Sequence, residues 1–177
     1  MNYRKIESII SAYKILRRQN PDTWIIDCSN SKTIEQAIEL AATAKNFANK
    51  KHPHQYRLPN STLDSFAIAI IDKVDKVKKV KSFDDLILII DSCRVKGIAD
   101  LTIYDTAQRI GSYLGLYPVK IYLHSGTRKG AEILLGKVKG KFINANQLPQ
   151  PFQTATLTAA EIEDILCIYK DRLLTCI

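Results

Sequence analysis

The stretch LILIIDSCRVKGIADLTIYDTAQRIGSYLGL, residues 86–116, decides how the chain is read. Its opening LILIIDSC is apolar nearly all round, which predicts a central, buried helix, and Ser82, Phe83, Asp84 and Asp85 ahead of it supply a capped start. Thr102 with Asp105 three residues on reads as the cap of a second helix, IYDTAQRIGSYLG. Between the two lies Val95-Lys96-Gly97-Ile98, a short turn whose glycine lets the backbone take a positive φ. Two helices around a glycine turn predict a helical neighbourhood, and the flanking sequence is read outward from it.

Upstream, Ile6, Ile9, Ile10, Tyr13 and Leu16 recur at helical spacing and predict a helix over residues 3–18, stopped by Asn20-Pro21. TWIIDC, residues 23–28, is short, β-branched and aromatic, and reads as a connector. From Ser31 the Ala-rich run TIEQAIELAATAKNFANKK predicts a helix ending before His52-Pro53. Ser61-Thr62-Leu63-Asp64 looks like a capping box for a helix whose far end carries Lys73, Lys76, Lys78, Lys79 and Lys81.

Downstream, VKIYLH at 119–124 fits a short strand or a turn and a half of helix; with helices as neighbours the helical reading is preferred. Ser125-Gly126-Thr127 caps a short helix, and the polar, Pro- and Gly-punctuated stretch 137–156 is a connection. Thr158-Ala159-Ala160-Glu161 is the best capping box in the chain and opens the last helix. The expectation is one compact all-α domain of about seven or eight helices without a sheet, in two lobes, 1–80 and 81–177.

Apolar residues make up 46% and charged residues 25% of the 177, the proportions of an ordinary globule, which excludes disordered and collagen-like classes. The opening MNYRKIESIISAYK has no apolar leader core, and no run approaches 18 uncharged apolar residues, so a cytoplasmic, bacterial-type protein with no membrane partner is expected. Cys28, Cys93, Cys167 and Cys176 include no C-x-x-C, which argues against zinc, and Cys93 and Cys167 are expected to be buried and reduced. Twenty-six Lys and Arg against 18 Asp and Glu give +8, which favours a polyanionic partner. Arg109, Lys120, Arg128, Lys129, Lys137, Lys139 and Lys141 lie between Asp105 and Glu161 with only Glu132 to oppose them, so the charge is expected to gather around the hairpin.

The layout of residues 86–116, with the h-x-G-h string Val95-Lys96-Gly97-Ile98, resembles the helix-hairpin-helix of the DNA glycosylase superfamily, closely over about 30 residues and loosely over 60–136. The resemblance implies a turn whose backbone, at Lys96, Gly97 and Ile98, holds a phosphate. Three departures argue against the family's reaction. Ala99 stands where a second glycine is usual, Leu101 where the lyase members carry lysine, and Pro118 to His124 holds no carboxylate. The strings HPHQ and YDTAQRIG also look like ones in uncharacterised bacterial proteins, which supplies no function.

Two further places attract an anion in this reading. Ser125, Thr127, Arg128 and Lys129 join hydroxyls and positive charge at a helix start, and the bend at 50–57 offers Lys51, His54 and Arg57 as donors. His52 and His54 alone make no metal site, because a divalent ion wants a carboxylate or third nitrogen and none is near in sequence. No metal or cofactor is expected, and the catalytic residues, if any, are unassigned. No phosphate-loop, dinucleotide, serine-hydrolase or zincin signature occurs. The function expected is nucleic-acid backbone binding, DNA ahead of RNA. The alternatives are an all-α interaction protein in which the hairpin is structural, and a nucleic-acid-processing enzyme using His54 or His124.

Overall fold

The structure, a computed structural model, describes residues 1–177. In chain order the elements are α1 (Tyr3–Gln19), α2 (Thr23–Ser29), α3 (Ile34–Thr43), α4 (Asn60–Ile71), α5 (Val74–Val77), α6 (Phe83–Asp91), α7 (Asp100–Leu114), β1 (Ile121–Tyr122), α8 (Ser125–Leu135), β2 (Phe142–Ile143), α9 (Ala159–Ile168) and α10 (Lys170–Leu173). The fold is all-α, with one two-stranded ribbon as its only sheet. No helix is long and apolar enough to cross a membrane.

The chain divides into two compact units. One is Asp22–Tyr117; the other joins Met1–Pro21 to Pro118–Ile177. A boundary near residue 80 is thereby corrected, since α5 and α6 on either side of it belong to the same unit.

In the Asp22–Tyr117 unit, capping chemistry explains where the helices differ from expectation. TWIIDC is helix, not connector, because the Asp22 carboxylate accepts from the N–H groups of Trp24 and Ile25 and so supplies two of the bonds a helix start lacks. α3 stops at Thr43 and not before His52: Ala44 takes the left-handed conformation, φ 56°, and Lys45 then pairs with Lys51 in an isolated antiparallel bridge. α4 begins at Asn60 after Pro59 with no side-chain cap, so Ser61 lies inside the helix. Ser82 does cap α6, accepting from the Asp85 N–H. α7 starts two residues before Thr102, with Ala99 as an extended N-cap. Ile38 and Ala41 of α3, Phe66 and Ile70 of α4, Leu86 and Ile90 of α6, and Tyr104 and Ile110 of α7 are fully buried.

In the other unit, the apolar stripe Ile6, Ile9, Ile10 and Tyr13 of α1 shares a core with Phe152 and with Ile162, Ile165 and Leu166 of α9. The Thr158–Glu161 capping box forms in both directions, as the spacing indicates. VKIYLH is extended, correcting the helical preference: Ile121 pairs with Ile143 and Tyr122 with Phe142, antiparallel. Gly130 brings α8 against the α9 backbone so closely that a Cβ there would lie 2.0 Å from the Leu166 carbonyl oxygen. All four cysteines are free; Cys28, Cys93 and Cys176 are buried, whereas Cys167 is only half-buried.

Candidate functional site

The His-rich bend is shaped by its backbone first. The His52 N–H donates to the Ala44 carbonyl at 2.8 Å, and Pro53–Gln55 then makes a single 3-10 turn with proline at its head, where no donor is needed. His52 caps that turn, its Nδ1 accepting from the His54 N–H at 3.2 Å. The turn sends Gln55 into the core, fully buried, and sets His54 beside α7. On α7, Asp105 and Arg109 sit four residues apart and so share one face.

These segments meet in a polar cluster. His54 Nδ1 lies 2.8 Å from Asp105 Oδ2, and the Gln55 Nε2 donates to the same oxygen at 2.8 Å. Arg109 donates to Gln55 Oε1 at 3.2 Å and to the Ala41 carbonyl at 3.3 Å, with its guanidinium 3.7 Å from Asp105. His52 completes the group, stacked edge-on to His54 with ring centroids 4.5 Å apart and to Trp24 at 4.7 Å. One nitrogen or oxygen from each of His52, His54 and Asp105 falls within 4.8 Å of the others.

Electrostatics fix the charge states. Burial would raise the Asp105 pKa, but the His54 hydrogen bond and the Arg109 charge outweigh it and hold the carboxyl below its ordinary range. Burial, helped by the Arg109 charge, pushes His52 down to about 4, so it is neutral at pH 7. A buried carboxylate oriented against a half-exposed imidazole can hold or move a proton. The same three side chains offer the N, N, O donors that the sequence lacks locally, since Asp105 is 51 residues from His54.

The expected phosphate-binding residues are distributed differently. In the turn between α6 and α7, Gly97 has φ +98°, Lys96 is exposed and Ile98 is buried as a plug. Asp100 is the first residue of α7, paired with Arg94 at 2.6 Å, so a carboxylate already stands at the helix end that an anion would seek. Lys51 is engaged in holding the bend, donating to the Leu58 carbonyl at 2.5 Å and to Asn60 Oδ1 at 2.9 Å; Arg57 is exposed.

At the start of α8, Thr127 is buried and donates to the Glu163 carboxylate, which is itself buried. Arg128 donates to the carbonyls of Val138 at 3.0 Å and Gly140 at 2.6 Å, while Ser125 and Lys129 are exposed. Lys96, Gly97 and Ile98 therefore belong to one unit, and Ser125, Thr127, Arg128 and Lys129 to the other. The charge follows the second group. The Asp22–Tyr117 unit has thirteen Lys and Arg against twelve Asp and Glu, net +1; the remaining residues have thirteen against six, net +7. The positive excess is thus not carried by the hairpin's own unit.

Sequence reading passed over the ribbon that follows α8. Arg128 pins a loop in which Gly136 and Gly140 take φ of 74° and 90°, and Lys137, Lys139 and Lys141 on it are exposed. The loop runs into Phe142, 43% exposed, with Lys120 Nζ 4.6 Å from its ring centre and the Tyr122 ring 6.2 Å away. The string GKVKGKF carried this signal, two glycines and three lysines before an aromatic residue, but reads as a plain connection until the strand pairing is known. Comparison with protein-family models, curated proteins and solved structures gave no match to this chain.

Proposed function

We propose that the chain binds the phosphate backbone of nucleic acid, with the ribbon and its basic loop as the contact surface. The observation that carries this reading is the set Lys137, Lys139 and Lys141 on a loop already fixed by Arg128, beside the exposed ring of Phe142. Lysines held in one place neutralise phosphates and release counterions, and less ordering entropy is lost when the loop is preformed. An exposed aromatic ring adjoining them offers a stacking platform for an unpaired base, worth about 1–3 kcal/mol per base. None of these residues is a planar bidentate base reader, so the binding is largely independent of sequence. The Lys96-Gly97-Ile98 turn supports the reading less, given the near-neutral unit around it and Asp100 at its helix start. The free thiols go with a reducing, cytoplasmic setting as part of the same proposal.

Fluorescence anisotropy with single-stranded and duplex DNA and RNA, at several salt concentrations, tests it. The wild type is expected to bind with affinity falling linearly in log[salt], and the combined Lys137→Ala, Lys139→Ala, Lys141→Ala variant to lose about two to three units of slope. Phe142→Ala is expected to weaken single-strand binding more than duplex binding. Lys73→Ala, whose ammonium is occupied by Ser92, serves as the unaffected control. Absence of wild-type binding at low salt would replace this reading with that of an all-α interaction protein.

A further inference from the structure

We propose that His52, His54 and Asp105 form a binding site for a divalent first-row transition-metal ion, a role that stands apart from nucleic-acid binding and lies in the other unit. The donor set is two imidazoles and one carboxylate, with one ligand atom of each within 4.8 Å of the others. Ligands at about 2.1 Å that are mutually adjacent on an octahedron lie about 3.0 Å apart. His54 Nδ1 and Asp105 Oδ2, at 2.8 Å, already have close to that spacing. An ion bound between them replaces that hydrogen bond, with His54 ligating through Nδ1 as the neutral tautomer that keeps its proton on Nε2. His52 offers the third donor, with one ring nitrogen within 4.8 Å of the other two ligand atoms.

The surroundings favour a built site over a chance grouping. Asp105 is held by Gln55, whose own oxygen is held by Arg109, so the carboxylate is oriented by buried neighbours in the way metal ligands are. Trp24 buttresses His52 from the other side. The exposed flank of His54, 48% accessible, is the route of entry and leaves room for water as the remaining ligands. The Arg109 charge, 3.7 Å from Asp105, opposes a cation, and three protein ligands with open positions match a reactive or exchangeable ion better than a closed four-ligand structural zinc. Imidazole with carboxylate selects the transition series over calcium and magnesium.

The full chain, stripped with a chelator, is titrated with Co²⁺ alone and followed by visible d–d absorption, and with Zn²⁺ alone by calorimetry. One equivalent is expected to bind and to raise the melting temperature. His52→Ala and His54→Ala are each expected to weaken binding at least ten-fold, while His124→Ala, in the other unit, binds as the wild type. Circular dichroism accompanies every variant; because Asp105→Asn removes a buried partner, the two histidine variants decide the matter if it fails to fold. No binding by the wild type, or equal binding by the double His52→Ala, His54→Ala variant, overturns the proposal. So does thiolate-to-cobalt charge-transfer absorption, which would assign the ion to the cysteines.

Discussion

Arg109 donates to the side-chain oxygen of Gln55 across 3.2 Å, with both residues buried. The Gln55 nitrogen in turn donates to Asp105, so a single amide is held at both ends and the bend is stapled to α7. A buried network of this kind is costly to leave half-satisfied. Gln55→Ala is expected to destabilise the protein by about 2–4 kcal/mol, the cost of leaving buried polar groups short of partners plus the cavity. Urea denaturation measures this; a loss under about 1 kcal/mol would show that water replaces the amide.

His52 gives the stability a pH dependence in chelated, metal-free protein. Its pKa is 6.5 in the unfolded chain and about 4 in the fold. Between those values the unfolded state holds more protons, and stability rises with pH. Discounted for the partial exposure of the ring, the gain from pH 4 to pH 6.5 is expected to be about 1–2 kcal/mol, with a plateau above pH 7. Asp105, held below its ordinary range, contributes stability that is lost only as the pH falls further, through its folded value. Chemical denaturation at stepped pH should show the rise in the wild type and its loss in His52→Ala.

Two glycines of α8 and its exit should respond for different physical reasons. At Gly130 an added Cβ would meet the Leu166 carbonyl oxygen at 2.0 Å, and backbone cannot move aside cheaply. Gly130→Ala is expected to cost about 3 kcal/mol or more, since α8 and α9 must separate. Gly136 has open space around it but sits at φ 74° and ψ −158°, a region essentially confined to glycine, so Gly136→Ala is expected to cost about 1–3 kcal/mol of backbone strain with no clash. Thermal melts of the two variants compare them directly.

The Cys28 thiol is fully buried, and burial pushes its pKa up to about 12. Alkylation at pH 8 is therefore expected to spare Cys28 in the folded protein and to reach it only on denaturation. Half-buried Cys167 should react sooner. Mass spectrometry of partially labelled protein checks the order, and early labelling of Cys28 would contradict the packing.

Capping was legible at Ser82 before α6 and at Thr158 with Glu161 before α9, where the side chain and its target lie three residues apart. It misled where composition outvoted a single residue. TWIIDC reads as a connector by its short, β-branched content, yet two bonds to Asp22 make it helical. Gly97 was readable as a positive-φ turn because no distant partner is needed to require it. The ribbon was not, since Ile121 and Ile143 find each other only across an intervening helix. Asp105 is the clearest case. Three residues after Thr102 it reads as half of a capping box; it is in fact the buried carboxylate that receives His54 and Gln55 from 51 and 50 residues away, a pairing that no local spacing encodes.

The unit built from residues 1–21 and 118–177 is interrupted by the other, and this bears on how the protein is made. During synthesis α1 emerges before α9, with its stripe of Ile6, Ile9, Ile10 and Tyr13 and no α9 to receive it. Residues 22–117 are complete before that partner exists and can fold as they leave the ribosome, since domains generally fold as units. α1 must wait for almost the whole chain, a nascent amphipathic helix with its apolar side uncovered. A chain truncated just after Tyr117 and released from the ribosome should therefore carry a protease-resistant Asp22–Tyr117 core joined to a protease-sensitive α1, and only addition of the 118–177 segment should close α1 in.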